Sequence, residues 1–329
     1  MAMTWIVFLL SSTLLVLAAV KLAQFGDVIA VRTRLGGMFI GVLLLAGATS
    51  LPELLTTINS MGQQVPGLAA GNLLGSNMFN MFLLAILDII YQQSRILRRV
   101  AMTHALTAAL ATVMIGMTTF FILADLPLRI GWVGMDSLAL IGVYVAGMRL
   151  IQQNGQASGA VVEMTEDRPL ISLWQALVGF ALATVLLVLV TPWLVQSSKE
   201  IADITGLSTG FVGTALVAMV TSLPETVAVV AAARLGAFDM AVGNLFGSNV
   251  FNMFALGLAD LFYTPGRLLA TIHPSFALVG LLGLLLTNLA LIGNVARLER
   301  RLLFVELDAL LILLLYLGGI YFLYLRGIG

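Results

Sequence analysis

Two glutamates sit in the same short pattern at two places in the chain. Thr49-Ser50-Leu51-Pro52-Glu53 recurs as Thr221-Ser222-Leu223-Pro224-Glu225. Both glutamates fall about midway through long apolar runs. A carboxylate at bilayer centre is costly unless paired or hydrated, and by default it marks a functional site. Neither run carries a Lys or Arg near that depth, so the expected counter-charge is a bound cation. Ser50 and Thr49 lie three and four residues before Glu53, the spacing of one helical face. Ser222 and Thr221 stand in the same relation to Glu225. Pro52 and Pro224 lack an N–H, so the carbonyls of Ala48 and Val220 lose their helical partners, and those of Thr49 and Thr221 are loosened. Each copy therefore collects carboxylate, hydroxyl and carbonyl oxygen at a break in a helix, where cations are attracted.

A second pattern is also present twice. Gly71-Asn72-Leu73-Leu74-Gly75-Ser76-Asn77-Met78-Phe79-Asn80-Met81-Phe82 recurs as Gly243 to Phe254, identical at ten of twelve positions. Asn72, Ser76 and Asn80 fall at i, i+4 and i+8, one polar stripe on a helix, and Asn244, Ser248 and Asn252 repeat it. The pairs Gly71 and Gly75, and Gly243 and Gly247, let helix backbones approach closely. An all-oxygen site with two carboxylates selects hard cations: Ca²⁺, Na⁺, Mg²⁺ or Mn²⁺. Two ionised glutamates balance one Ca²⁺.

The composition says what must position these residues. The chain has 329 residues, 60% hydrophobic and 10% charged, with a mean hydropathy of +1.06. Soluble domains carry about 25% charged residues, so this chain cannot cover a water-facing surface, and disorder is excluded for the same reason. The expected class is an all-α polytopic membrane protein. Apolar runs give ten spans, near 4–24, 37–60, 66–91, 100–124, 130–150, 170–197, 209–233, 238–263, 272–296 and 302–326. The first is read as a retained helix rather than a signal peptide. Residues 152–169 form a polar cytoplasmic linker between the fifth and sixth spans.

Other classes are disfavoured. Net charge is zero, which argues against nucleic acid. Cysteine is absent, so there is no disulfide or thiolate chemistry. His104 and His273 are too few and too isolated for haem or zinc, and neither neighbours a glutamate as a zinc hydrolase requires. The reading is not an enzyme and needs no cofactor. Its partners are transported cations and the lipid bilayer, with no protein partner predicted.

Both patterns, and Asp88 with Asp260, repeat at a constant offset of 172 residues. Each half then holds five spans: residues 1–151 form the first repeat and 170–329 the second. An odd number of spans inverts the second copy, giving two inverted five-helix repeats with a site at the bilayer midplane. Lys and Arg are sorted 12 to 4 between the two sides. The richer side is cytoplasmic by the positive-inside rule. That predicts a multi-pass cell (inner) membrane protein with both termini outside.

These segments resemble the alpha repeats of the cation/calcium exchanger superfamily, on its sodium/calcium exchanger side and of prokaryotic type. The shared patterns are G-T-S-[LV]-P-[ED] and G-N-x-x-G-S-N, each present twice. The resemblance implies alternating access, with the first and sixth helices sliding past the rest, and exchange of Ca²⁺ for Na⁺. It makes Glu53 and Glu225 the central carboxylates and the carbonyls of Thr49 and Thr221 calcium ligands. Ser50, Ser222, Ser76 and Ser248, with the carbonyls of Ala46 and Ala218, match sodium ligands. Asn80 and Asn252 match the remaining central positions, and Asn at the second of these fits a potassium-independent type. The family's Gly before Thr-Ser is Ala48 in one copy and Val220 in the other. A proton-coupled Ca²⁺/Mn²⁺ exchanger is the alternative, and a cation channel fits an inverted repeat less well.

Among the remaining polar residues, Asp88 and Asp260 are expected as caps or gate contacts near span ends. Asp136, Glu306 and Asp308 are expected near interfaces or in local pairs. The two histidines are expected to be interfacial.

Overall fold

A computed structural model describes residues 2–33, 47–91, 101–157, 172–296, 301–302 and 305–328. The first half holds α1 (Ala2–Thr33), α2 (Leu51–Gly62), α3 (Pro66–Ile90), α4 (Ala101–Ala124) and α5 (Met135–Ala157). The second holds α6 (Leu173–Thr205), α7 (Thr209–Val212), a π-helical turn at Gly213–Val217, α8 (Ala218–Thr221) and α9 (Leu223–Arg234). It continues with α10 (Phe238–Asp260), α11 (Leu268–Thr271), α12 (Phe276–Ala296) and α13 (Leu307–Arg326). Two tight antiparallel hairpins precede α5 and α13. In β1–β2 Arg129 pairs with Gly134, and in β3–β4 Arg301 pairs with Glu306.

The molecule is mostly helical, and thirteen α-helical segments are delimited at both ends among the described residues. Among the described residues, six helices are long and apolar enough to cross a membrane: Ala2–Gly26, Pro66–Ile90, His104–Ala124, Met135–Gln153, Leu173–Thr205 and Leu307–Arg326. A further candidate, Thr209–Thr221 with Leu223–Arg234, is bent by 43°. The cause is local. Ser222 leaves helical geometry at φ −86°, ψ 6°, and Ser50 does so at φ −93°, ψ 8°. Pro224 and Pro52 then sit in the first turn of the next helix, where a missing N–H costs nothing. The proline therefore starts a new helix instead of kinking an old one. In the second half the break is preceded by the π-helical turn, a feature that concentrates at functional sites.

Element boundaries recur at the same offset as the motifs. α2 and α9 begin at 51 and 223 and end at 62 and 234, and the two hairpins match strand for strand. α1 and α6 end at 33 and 205.

Packing divides the apolar residues into two clusters. One runs through α2 to α5 and α9 to α13, and includes Leu73, Met78, Met114, Phe246, Met253 and Phe276. The other is built mainly between α1 and α6, from Phe8, Leu15, Leu22, Leu187, Leu194 and Ile201. Among the described residues, α1 against α6 is the most extensive helix contact. α3 lies tightly on the α7–π–α8 segment. A Cβ at Gly71 would sit 2.5 Å from the Gly210 carbonyl oxygen, and one at Gly75 would sit 2.5 Å from that of Thr214. Backbone-to-backbone packing of this kind excludes any larger residue.

Candidate functional site

Both glutamates lie in the first turn of the helix that follows the break, Glu53 in α2 and Glu225 in α9. A helix N-terminus carries partial positive charge and favours an anion there. Each is 1% exposed. Among the described residues neither carboxylate has an ion-pair partner.

Their partners are hydroxyls from the opposite half. Ser50 Oγ donates to Glu225 Oε1 at 2.8 Å, and Ser222 Oγ donates to Glu53 Oε1 at 3.2 Å. The side chain of Thr49 also lies close to Glu225, and that of Thr221 close to Glu53. The second oxygen of each glutamate, Oε2, is buried and accepts no hydrogen bond.

The asparagines form a second reciprocal pair. Asn80 Nδ2 donates to Asn249 Oδ1 at 3.0 Å, and Asn252 Nδ2 donates to Asn77 Oδ1 at 3.0 Å. This turns the Oδ1 atoms of Asn80 and Asn252 away from protein donors, and both are buried without a partner. Four acceptor oxygens, two from carboxyl groups and two from amides, are thus left unsatisfied by protein, in pairs related by the repeat. Buried acceptors are seldom left in this state, and a hard cation is the species that such a set takes.

The remaining sequence-predicted residues are placed as follows. Ser76 Oγ donates to the Ala218 carbonyl at 3.4 Å, which also accepts from Thr221 Oγ1 at 3.3 Å and the Ser222 N–H at 3.1 Å. That carbonyl is committed to protein donors in this conformation. Ser248 is fully buried with no partner for its hydroxyl. Ala46 lies outside the described residues.

Sequence reasoning missed three contributors. Asn77 and Asn249 stand one residue off the i, i+4 stripe, yet they orient Asn252 and Asn80. Their signal was identity in both copies of the second motif. Asn72 was seen only as part of a stripe. Its amide donates to the Glu53 carbonyl at 3.0 Å and to Thr57 Oγ1 at 3.4 Å, and its Oδ1 accepts from Thr221 at 2.9 Å.

The outlying acids group at helix ends. Asp260 accepts from the Gly134 N–H at 2.8 Å and from the Leu268 N–H at 2.6 Å, joining the β1–β2 hairpin to the start of α11. Arg267 bonds Asp125 at 2.6 Å and lies 3.7 Å from Asp136. Asp88, Glu306 and Asp308 bring their carboxylate oxygens within 4.8 Å of one another. His104 lies 3.8 Å from Asp239, and His273 bonds Ser275 at 2.8 Å.

One hydrolase-like pattern does occur, Gly206-Leu207-Ser208-Thr209-Gly210. Ser208 caps α7 by accepting from the Phe211 N–H at 3.1 Å, and its hydroxyl donates to the Ile328 carbonyl. Its hydroxyl is occupied as a structural cap, and the two histidines lie beside Asp239 and Ser275 instead.

A helical membrane protein with broken helices and buried acids held at the break by the opposite half belongs to the class of ion transporters. More narrowly, the chain is a member of the sodium/calcium exchanger protein family, matched over residues 3–151 and 175–325. It is 27% identical over 336 residues to CaxA of Alkalimonas amylolytica, an antiporter by name, covering 98% of this chain and 99% of that one. Among solved structures, the H⁺/Ca²⁺ exchanger CAX superposes with a TM-score of 0.66 at 14% identity, covering 97% of this chain and 87% of that one. The sodium-calcium exchanger NCX_Mj superposes with a TM-score of 0.58 at 23% identity, covering 97% and 98%. At these identities the superpositions speak to fold.

Proposed function

We propose that the chain is a secondary antiporter that exchanges Ca²⁺ for Na⁺ by alternating access. The observation carrying this reading is the set of four unsatisfied buried oxygens: Oε2 of Glu53 and Glu225, and Oδ1 of Asn80 and Asn252. Two carboxylates without a basic partner balance one divalent cation, or bind several monovalent ones in its place. Ser50, Ser222, Ser76 and Ser248, with the carbonyls of Thr49, Thr221, Ala46 and Ala218, supply the oxygens of the sodium-loaded state. The protein needs no cofactor and does no covalent chemistry.

The matching element boundaries support two five-helix repeats, 1–151 and 170–329, joined by the linker 152–169. Their inverted arrangement in ten spans follows from the odd number of spans per half. The 12 to 4 distribution of Lys and Arg supports cytoplasmic placement of the richer side and both termini outside.

The test is ⁴⁵Ca²⁺ uptake into proteoliposomes with Na⁺, K⁺ and H⁺ gradients imposed in turn. Uptake driven by outward Na⁺ alone is the expected result. Flux under a pH gradient and none under a Na⁺ gradient would replace this reading with proton coupling, the glutamates acting as proton carriers. A current linear in voltage that needs no counter-ion would replace it with a channel.

A further inference from the structure

Two tyrosines occupy matching places in the two halves. Tyr144 is the tenth residue of α5 and Tyr316 the tenth of α13. Tyrosine in membrane helices gathers at the water interfaces, yet these two lie mid-helix and are 8% and 7% exposed. Each stacks on a phenylalanine of the opposite half. Tyr144 lies on Phe254 of α10, with ring centroids 4.2 Å apart and planes at 19°. Tyr316 lies on Phe82 of α3, at 4.5 Å and 26°. A second ring completes each group at 6.4 Å, Phe251 beside Tyr144 and Phe79 beside Tyr316. All three members of one group recur 172 residues on as the members of the other.

The phenylalanines flank the central asparagines. Phe79 and Phe82 bracket Asn80, and Phe251 and Phe254 bracket Asn252. Successive residues on an α-helix are set about 100° apart. Phe82 and Phe254 therefore lie on nearly the opposite face from the asparagine two residues earlier. The stack grips the back of the helix whose front carries the Oδ1 atom. A rotation of about 20° carries an atom ~5–6 Å from the helix axis through ~2 Å, well beyond the tolerance of a cation–oxygen bond. Phe251 also abuts the first broken span. A Cβ on Gly47, two residues before Thr49, would lie 3.6 Å from its ring.

We propose that Tyr144 and Tyr316 are positioning residues of the cation site. Each fixes the rotation of the opposite half's α10 or α3 by stacking on its back, so that Oδ1 of Asn252 or Asn80 faces the centre. The role rests on the antiporter reading and extends it. Stacking has a preferred geometry that aliphatic packing lacks, so the ring specifies an angle where a leucine would only fill volume.

The test is equilibrium ⁴⁵Ca²⁺ binding to the purified full chain in detergent, with the melting temperature followed alongside. Tyr144→Leu and Tyr316→Leu remove a ring from the stack. Tyr144→Phe and Tyr316→Phe keep the ring and remove only the hydroxyl. Each Leu variant is expected to raise the Kd for Ca²⁺ about three- to tenfold, the factor to which an aromatic pair corresponds. Each Phe variant is expected to bind as the parent does. Leu140→Ala thins the packing one helical turn before Tyr144, where Leu140 rests on Gly257. It is expected to lower the melting temperature and leave the Kd unchanged. In an Asn80→Ala background, Tyr316→Leu is expected to add no further rise, because nothing is left for it to position.

Parent-like binding in the Leu variants, weakened binding in the Phe variants, an equal rise with Leu140→Ala, or additive effects in the double variant overturn the proposal. Should Tyr316→Leu not fold, Phe82→Leu opens the same stack from the other side and is read in the same way. Binding needs no transport. The expected Kd pattern without Na⁺-driven flux upholds the positioning role and sinks the antiporter reading, while Na⁺-driven flux with an unmoved Kd does the reverse. A parent protein that holds no ⁴⁵Ca²⁺ overturns both.

Discussion

Ser50 and Glu225 are 175 residues apart in sequence and 2.8 Å apart in space, and Ser222 and Glu53 repeat the relationship at 3.2 Å. Each half supplies the hydroxyl that holds the other half's acid. Neither half binds its own acid in this way, so these contacts exist only where the two broken helices meet.

That reciprocity makes the two acids equivalent in consequence. Glu53→Gln and Glu225→Gln are each expected to reduce Ca²⁺ uptake at least about a hundredfold, since a bond to a charged group contributes ~1.5–3 kcal/mol and the charge itself is lost. Size-exclusion profiles should stay monodisperse, because Gln keeps the shape. Wild-type uptake by either variant would remove that residue from the site. Ser50→Ala should weaken uptake about tenfold, and Ser222→Ala should match it.

Gly75 is a test of packing apart from chemistry. A Cβ there would lie 2.5 Å from the Thr214 carbonyl oxygen and 2.8 Å from its Cα, both backbone atoms that cannot swing aside. Gly75→Val is expected to cost about 3 kcal/mol or more in an overpacked contact, lowering the yield of folded protein and its melting temperature. Normal thermal stability of this variant would show that α3 and the π-helical turn can separate.

Relative motion of α1 can be stopped covalently. A Cβ built on Gly26 lies 3.9 Å from that of Ala48, inside the range of about 3.5–4.5 Å that disulfides span. The double variant Gly26→Cys, Ala48→Cys should lose uptake on oxidation and regain it with reductant. Full uptake in the oxidised form would mean that α1 does not move against the broken span.

Arg267 separates a buried charge contact from an exposed one. Its side chain is 12% exposed and touches Asp125, which is 67% exposed, and Asp136, which is 1% exposed. Arg267→Gln strands a buried carboxylate and is expected to destabilise by about 3 kcal/mol. Asp125→Asn removes only a surface partner and should cost less than about 1 kcal/mol. Equal shifts in melting temperature would contradict that difference.

The two glutamates and the asparagine stripes were legible from the sequence because charged and amide groups at mid-span are costly to keep and rarely serve packing alone. The break in each acidic span was legible as well, but its form was not. Proline suggested a kink with loosened carbonyls; Pro52 and Pro224 instead open new helices, which puts the glutamates at positive helix ends. Asn77 and Asn249 went unrecognised because their partners lie across the molecule, and a periodicity argument works along one helix only.

α6 is 33 residues long, which is ~50 Å of helix, against a hydrocarbon layer of about 30 Å. Its exposed Trp174 and Trp193 stand nineteen residues apart, ~28 Å, a separation that suits the two headgroup levels. Beyond Trp193 come Lys199, Glu200 and Asp203, a polar overhang that cannot be drawn into acyl chains without cost. The aromatic rings therefore act as floats and the charged tail as a stop. Any slide or tilt of α6 with its neighbour α1 would work against both, which predicts that membrane thickness acts on exchange. Exchange rates should pass through a maximum as the lipid chain length is varied in otherwise identical vesicles.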